Sequence, residues 1–302
     1  MLTFVRRKGL GLGSIRGLMQ TLEEMGIPSQ VWRNDRPPPE HKPSLVIRWG
    51  CSSTLPWDKV KILNEAKHIH RVNDKRQFSV DLAGSNLGPP SFTSLNPNDN
   101  MQLKNIYDHE YYILRPKVHS RGKNLVHCYG KNLWKHVTKA PFSSGYYIRP
   151  FIDKKEEYRA YVVGGRVVNL SRKIVEDKNK IAWNHSLGAV FENVKWGSWS
   201  EVDLSFALRT AQLSGLFYCA VDLMLDKQGN TWVIEANSAG SLPPNEDKTP
   251  SYRNRCVAKA IAWHYKRDSF SNIEGKEKEG WRSFIHPAIW KNHQLNKEVN
   301  ND

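Results

Sequence analysis

The sequence predicts a mixed α/β and α+β protein in which a small parallel-sheet unit precedes a strand-rich region. Three observations carry this reading. Short apolar strands alternate with helical stretches over residues 1–70, the pattern of a βαβ-like unit. Extended runs then dominate residues 111–168. Finally, residues 220–242, AVDLMLDKQGNTWVIEANSAGSL, fold back on themselves at Gln228-Gly229 into a hairpin with one apolar and one acidic face.

In chain order, residues 2–5 form a first strand. Arg6-Arg7-Lys8 and Gly9, Gly11, Gly13 and Gly17 follow, and Ser14 opens a helix ending near Met25, with Gly26 past its end and Pro28 beyond. A glycine-rich turn before a helix can cradle an anion, but the spacing matches neither the dinucleotide fingerprint nor the P-loop; it reads first as a tight turn and second as an anion site. Pro37-Pro38-Pro39 is a surface loop, residues 45–47 a buried strand, and residues 57–68 a helix. Asn73-Asp74-Lys75 opens another helical segment, and Gly88-Pro89-Pro90 stops the chain before Phe92.

Residues 111–115 and 125–129 are strands around a basic loop, His119-Ser120-Arg121-Gly122-Lys123. Such a loop suits closure over phosphates, or is a solvated turn. Residues 145–149 are extended and Asp153-Lys154-Lys155 turn the chain. Residues 158–163 form a strand joined by Gly164-Gly165 to residues 166–168. Ser200 and Asp203 cap a helix that carries Leu204, Ala207, Leu208 and Ala211 on one face and stops at Gly215. A last helix spans about residues 251–266, and the end from Ser269 is polar with scattered aromatics.

Composition bounds the function. At 302 residues, 39% hydrophobic and 25% charged, the chain has the makeup of a soluble globular protein of about two domains. No apolar run approaches the roughly 20 residues that span a bilayer, so no membrane partner and a cytoplasmic location are expected. Cys51, Cys128, Cys219 and Cys256 lie far apart without CxxC spacing, which argues against a zinc knuckle or a disulfide framework. The formal charge of +15 points to a polyanionic partner, either nucleic acid or an acidic substrate. Trp134, Trp183, Trp196 and Trp199, read as exposed among cations, would suit base stacking.

The hairpin carries the sharpest chemistry. Its predicted register opposes Val221 to Ala236, Leu223 to Ile234 and Leu225 to Trp232 on the apolar face. On the other face it opposes Asp222 to Glu235, Met224 to Val233 and Asp226 to Thr231. Directly opposed carboxylates have Cβ atoms roughly 4.5–5.5 Å apart and need a compensating cation. Either Asp222, Glu235 and Asn237 hold a divalent metal through hard oxygens, Mg²⁺ before others, or twist separates the carboxylates on a solvated face.

Taken together, residues 72–242 resemble the ATP-grasp superfamily, most closely the ligases that add glutamate to a ribosomal protein or to cofactor tails. Four blocks in order carry the resemblance: Asn73-Asp74-Lys75, YYILRPKVHSRGKNL (111–125), GYYIRPFIDKKEEYRAYVVGG (145–165), and the hairpin with its preceding helix. The resemblance implies an ATP-grasp fold with two α+β lobes holding ATP: a small α/β pre-grasp domain at 1–72, the grasp at 73–268 (lobes 73–144 and 145–268), and an extension at 269–302. It implies that Lys75, Arg115 and Lys117, with Ser120 and Gly122 of the loop, contact ATP phosphates, and that the hinge around Tyr147, Arg149 and Phe151 holds adenine. Arg159, Lys173 and Asn184 would serve the transferred phosphoryl group, and Asp222, Glu235 and Asn237 would hold Mg²⁺ or Mn²⁺. The implied reaction is ATP-dependent ligation of a small-molecule or peptide carboxylate to an amine, or to a thiol, through an acyl-phosphate. A kinase acting on a hydroxyl and a nucleic-acid-binding protein on the same scaffold are the alternatives. The chain departs from the family pattern at Arg115, where lysine is usual, at Ala182, where arginine is common, and at Gly240-Ser241, which replace Pro-Gly.

Overall fold

The structure is a computed structural model describing residues 1–92, 110–117, 125–133, 136, 146–183 and 188–269. Its first sheet is parallel, with strands in the order β2-β1-β3-β4: β1 (Leu2–Arg6), β2 (Ser29–Arg33), β3 (Leu45–Trp49) and β4 (Lys61–Leu63). Helix α1 (Leu12–Glu24) crosses from β1 to β2. It begins two residues before Ser14, because Gly11 at φ 66° makes the entering turn over Trp49. A Cβ at Gly11 would lie 2.5 Å from the indole, so only glycine fits there. Ser14 is instead a buried anchor whose Oγ accepts from the Leu242 N–H at 2.9 Å.

The helix expected over 57–68 does not form. Residues 61–63 pair with β3, and α2 (Ala66–Asn73) starts only afterwards. Lys59 and Asn64 sit at φ 54° and 59°, a left-handed conformation that interrupts any right-handed helix. Asn64 stays there because its buried amide binds both the N–H and the carbonyl of Tyr218, at 3.0 and 2.9 Å. Helix α3 (Lys75–Gly84) begins at the expected place, with the Asp74 carboxylate capping the Gln77 N–H at 3.1 Å.

A three-stranded antiparallel sheet, β6-β5-β7, is built from β5 (Tyr111–Pro116), β6 (Val126–Tyr129) and β7 (Tyr146–Pro150). A five-stranded sheet follows in the order β10-β9-β8-β11-β12: β8 (Lys154–Val163), β9 (Arg166–Ile174), β10 (Val190–Asn193), β11 (Tyr218–Asp226) and β12 (Thr231–Asn237). Strand β8 begins at Lys154, within the stretch expected to turn. Helices α4 (Ser205–Ser214) and α5 (Tyr252–Ser269) complete the α-helices of the described residues.

The large sheet uses its two faces differently. Ala160, Leu170, Val221, Leu223, Val233 and Ala236 pack with Ala207 and Ala211 of α4. On the opposite face, Tyr161, Val163, Tyr218 and Ala220 pack against Phe4, Trp49 and Ile261, joining the first sheet and α5 in one core. Further along the same strands that face turns ionic, with Glu157, Arg159, Lys173 and Asp222.

The hairpin keeps part of its predicted register. Val221 opposes Ala236 and Asp222 opposes Glu235; a bulge then places Leu223 against Val233, Met224 against Trp232 and Leu225 against Thr231. The expected pairs Leu223–Ile234, Met224–Val233, Leu225–Trp232 and Asp226–Thr231 are therefore replaced. Ile234 is the additional residue, and it lines the cleft with Met224; Trp232 leaves the core and donates to Asp226 at 2.9 Å. Two of the tryptophans read as exposed are buried: Trp183 and Trp199 are 2% and 3% exposed, and each indole donates within its own loop, to Lys180 O and Val194 O. Trp134 and the Trp196 side chain lie outside the described residues. No helix among the described residues is long and apolar enough to cross a membrane.

Candidate active site

Between the three-stranded and five-stranded sheets lies a cavity of about 660 Å³, within the range of small-molecule sites. Of the residues the sequence singled out, Lys75, Arg115, Arg149, Phe151, Arg159, Lys173, Asp222, Glu235 and Asn237 all line it. A larger open groove of about 1790 Å³ beside α4 is lined by none of them. Lys117 turns instead to Asp74, at 2.9 Å, at the start of α3. Tyr147 is buried within β7, opposite Arg115. Ser120, Gly122 and Asn184, with His119 of the basic loop, lie outside the described residues.

Strand pairing sets the floor of the cavity. Arg159 on β8 lies directly across from Asp222 on β11, and its guanidinium grips both carboxylate oxygens at 2.6 and 2.8 Å. Lys173 on β9 reaches the same carboxylate at 3.3 Å and Glu157 at 2.8 Å. Glu157 also takes the ammonium of Lys154, which donates to Ile181 O at 2.7 Å and stands 4.5 Å above the Trp183 ring. Phe191 covers the string from the side, 4.8 Å from the Arg159 guanidinium. The buried row thus alternates in sign: Lys154, Glu157, Lys173, Asp222, Arg159.

Each charge feels burial and its neighbours in opposition. Burial alone would push the Asp222 carboxyl up, but the adjoining Arg159 and Lys173 charges hold it below the usual carboxylate range. Burial likewise opposes the charged forms of Arg159 and Lys173, and the carboxylates beside them win, raising both. For Lys154 burial prevails over Glu157, and its ammonium is lowered.

The other rim is held by Lys75, which donates to Ala236 O at 2.9 Å, Asn237 Oδ1 at 3.4 Å, and lies 3.5 Å from Glu235. Asn237 donates to Glu235 at 2.9 Å. Arg149, fully enclosed, bonds the carbonyls of Val233 and Ile234, both at 3.2 Å, and burial lowers it to about 10. In the expected hinge, the Phe151 N–H is engaged by Tyr111 O at 2.9 Å.

The opposed carboxylates do want cations, as the register argument requires, and in this arrangement Arg159, Lys173 and Lys75 supply them. The donor set Asp222, Glu235 and Asn237 still fits a hard divalent ion, since all three present oxygen. Six cations, Lys75, Arg115, Arg149, Lys154, Arg159 and Lys173, face three carboxylates, Glu157, Asp222 and Glu235, so the cavity favours a polyanion.

Lys154 and Glu157 were not singled out in the sequence. A bulge explains why: β8 shifts register between the partners Leu225 and Asp226, so Lys154, three residues from Glu157, joins its face. Acid and base three apart in a strand ordinarily point to opposite faces, which hides the pair.

A family model described as the RimK-like ATP-grasp domain matches residues 75–250. Among solved structures, the chain is similar to the ATP-grasp ligase PsnB complexed with a phosphomimetic variant of minimal precursor, Mg and ADP (TM-score 0.61, 15% identity, covering 87% of this chain and 98% of that one). It is also similar to the macrocyclase MdnC bound with precursor peptide MdnA from Microcystis aeruginosa MRC (0.58, 14%, 89% and 100%). D-alanine–D-alanine ligase from Bacillus anthracis complexed with ATP gives 0.60, 12%, 89% and 99%. At these identities the similarity is one of fold. A comparison with curated proteins gives no match.

Proposed function

This chain belongs to the RimK-like ATP-grasp family, and from that premise we propose that it is an ATP-dependent ligase joining a carboxylate to an amine through an acyl-phosphate. The observation that carries the reading is the gathering of Lys75, Arg115, Arg159 and Lys173 with Asp222, Glu235 and Asn237 around one cavity. Its described lining supplies cations and oxygen ligands, as expected where catalysis is positioning and charge stabilisation.

In this reading a substrate carboxylate oxygen bonds to the γ-phosphorus of ATP as the bond to ADP breaks. The amine nitrogen then bonds to the acyl carbon, phosphate departs, and the nitrogen loses a proton to solvent or to a substrate group. Lys75 and Arg115 bind phosphate oxygens; Arg159 and Lys173 neutralise the charge spread over the transferred group and then over the acyl-phosphate. Asp222, Glu235 and Asn237 would hold Mg²⁺ or Mn²⁺, which when bound offsets phosphate charge. Solved relatives in complex with precursor peptides and a small-molecule ligase share the fold, which supports a peptide or small-molecule carboxylate as substrate.

The test is mass spectrometry of products formed from ATP, Mg²⁺ and carboxylate–amine pairs, with Glu235→Gln as the blank. The expected product is an amide formed together with ADP and phosphate, absent from the blank. A stable phosphorylated product formed without any amine would replace the ligase reading by a kinase, and no ATP binding at all would end both.

A further inference from the structure

The strand order β2-β1-β3-β4 contains a reversal: from β1 the chain moves to β2 on one side, and then to β3 on the other. In open parallel sheets, ligands bind outside the carboxyl ends of the strands at such a point. Here those ends are basic. Arg6 ends β1 and lies directly across from Arg33, which ends β2. Arg16 projects from the second turn of α1, and burial together with the charges of Arg33 and Arg16 lowers Arg6. The neighbouring carboxylate, Asp35, is taken by Arg33. Among the described residues, neither Arg6 nor Arg16 has a carboxylate within ion-pair distance.

The N-terminus of α1 sits among these arginines with no side-chain cap and no acid in its first turn. Its N–H groups at Leu12, Gly13 and Ser14 precede the first helical bond, Ile15 N–H to Gly11 O at 3.0 Å, and their dipole favours an anion. Two further donors in this corner lack acceptors. Arg6 is 9% exposed, and while one terminal nitrogen holds Arg7 O and Leu10 O at 3.2 and 3.3 Å, its Nε has no partner. Trp49, fully buried under Gly11, has an unpartnered Nε1. Buried donors left without acceptors are costly, and a guanidinium without a counter-ion more so.

This corner is tied to the rim of the active-site cavity. Ala239, Gly240 and Ser241 line that cavity. Gly50, at φ 63°, lets Leu10 and Ala239 meet over it, a Cβ there lying 2.6 and 2.8 Å from them. Ser14 fixes Leu242.

We propose that the turn between β1 and α1, with Arg6, Arg16 and Arg33, binds an oxyanion of the substrate, a carboxylate or phosphate other than the carboxylate being activated. The inference rests on the ligase reading for the word substrate, and it makes that substrate at least doubly anionic. It gives part of the +15 charge a specific use.

The test titrates the full chain, saturated with Mg²⁺ and a non-hydrolysable ATP analogue so that the cleft is filled, with inorganic phosphate and separately with glutarate, by calorimetry. Binding of either anion, weakened roughly tenfold or more in Arg16→Gln and in Arg33→Gln, is expected; the tighter of the two identifies the chemistry as phosphate or carboxylate. Both variants alter partly or fully exposed side chains, so nucleotide affinity should stay at the wild-type value. Equal anion binding in wild type and variants, or anion binding seen only without the nucleotide analogue, overturns the proposal. Failure of the ligase reading has a different signature, loss of nucleotide binding in the wild type itself.

Discussion

The pairing of Arg159 with Asp222 makes an expectation about metal binding whose sign is unusual. Both oxygens of Asp222 are engaged by Arg159, at 2.6 and 2.8 Å, so a divalent cation must take them from a guanidinium. Replacing Arg159 by glutamine, which keeps an N–H donor for the carboxylate, removes about one charge-assisted bond, worth roughly 1.5–3 kcal/mol. Lys173 remains 3.3 Å from the carboxylate, so Asp222 is not orphaned and the stability loss should be about 2 kcal/mol, short of the ~3–5 kcal/mol for stranding a buried charge. The same ~2 kcal/mol no longer opposes the metal, which corresponds to about 30-fold tighter binding. A paramagnetic-resonance titration of Mn²⁺ into the full chain without nucleotide reads this directly, with urea unfolding as the stability control. When a non-hydrolysable ATP analogue is present, phosphate draws Arg159 away in the wild type and the difference should shrink. The reasoning is refuted if Arg159→Gln binds Mn²⁺ no more tightly than wild type without nucleotide, or keeps its full advantage with it.

Two further expectations concern the same row of charges. Glu157→Gln leaves Lys154 and Lys173 facing each other while both are buried, and should cost about 3–5 kcal/mol in urea unfolding; a loss under 1 kcal/mol would show that the row is not coupled. The Asp222 carboxyl lies below its unfolded value, so its contribution is complete above about pH 3.9 and is lost as pH falls through the folded value. The stability gap between wild type and Asp222→Asn should therefore hold from pH 7 to about pH 4 and close below it, and a gap that closes between pH 7 and 5 would contradict the assignment.

What the sequence made legible here is chemistry that alternation preserves. Asp222 and Glu235 are opposed as expected because Val221 and Ala236 beside them fix the register. Asp74 marks the start of α3 because a short acidic side chain before a helical run has one good use. What stayed hidden follows from bulges. Val233 and Ile234 are both apolar, so the pattern cannot tell which faces α4 and which the cleft, and the extra residue goes unseen. The strand at residues 61–63 reads as helix in the sequence because residues 57–68 supply apolar residues at helical spacing, while the left-handed Lys59 and Asn64 that break the run look like ordinary polar residues. Trp183 and Trp199 read as exposed because an indole satisfied by a carbonyl three to five residues away leaves no trace in composition.

Arg149 has a consequence beyond the cleft. Strand β12 is the outer strand of the large sheet, and its free side is covered by Arg149 on the Val233 and Ile234 carbonyls and by Leu87, whose carbonyl accepts the Val233 N–H at 2.8 Å. An uncovered outer strand is a template for pairing with another chain. With the Val233 and Ile234 carbonyls and the Val233 N–H all occupied, the arginine that walls the cleft also shields this edge of the molecule against self-association.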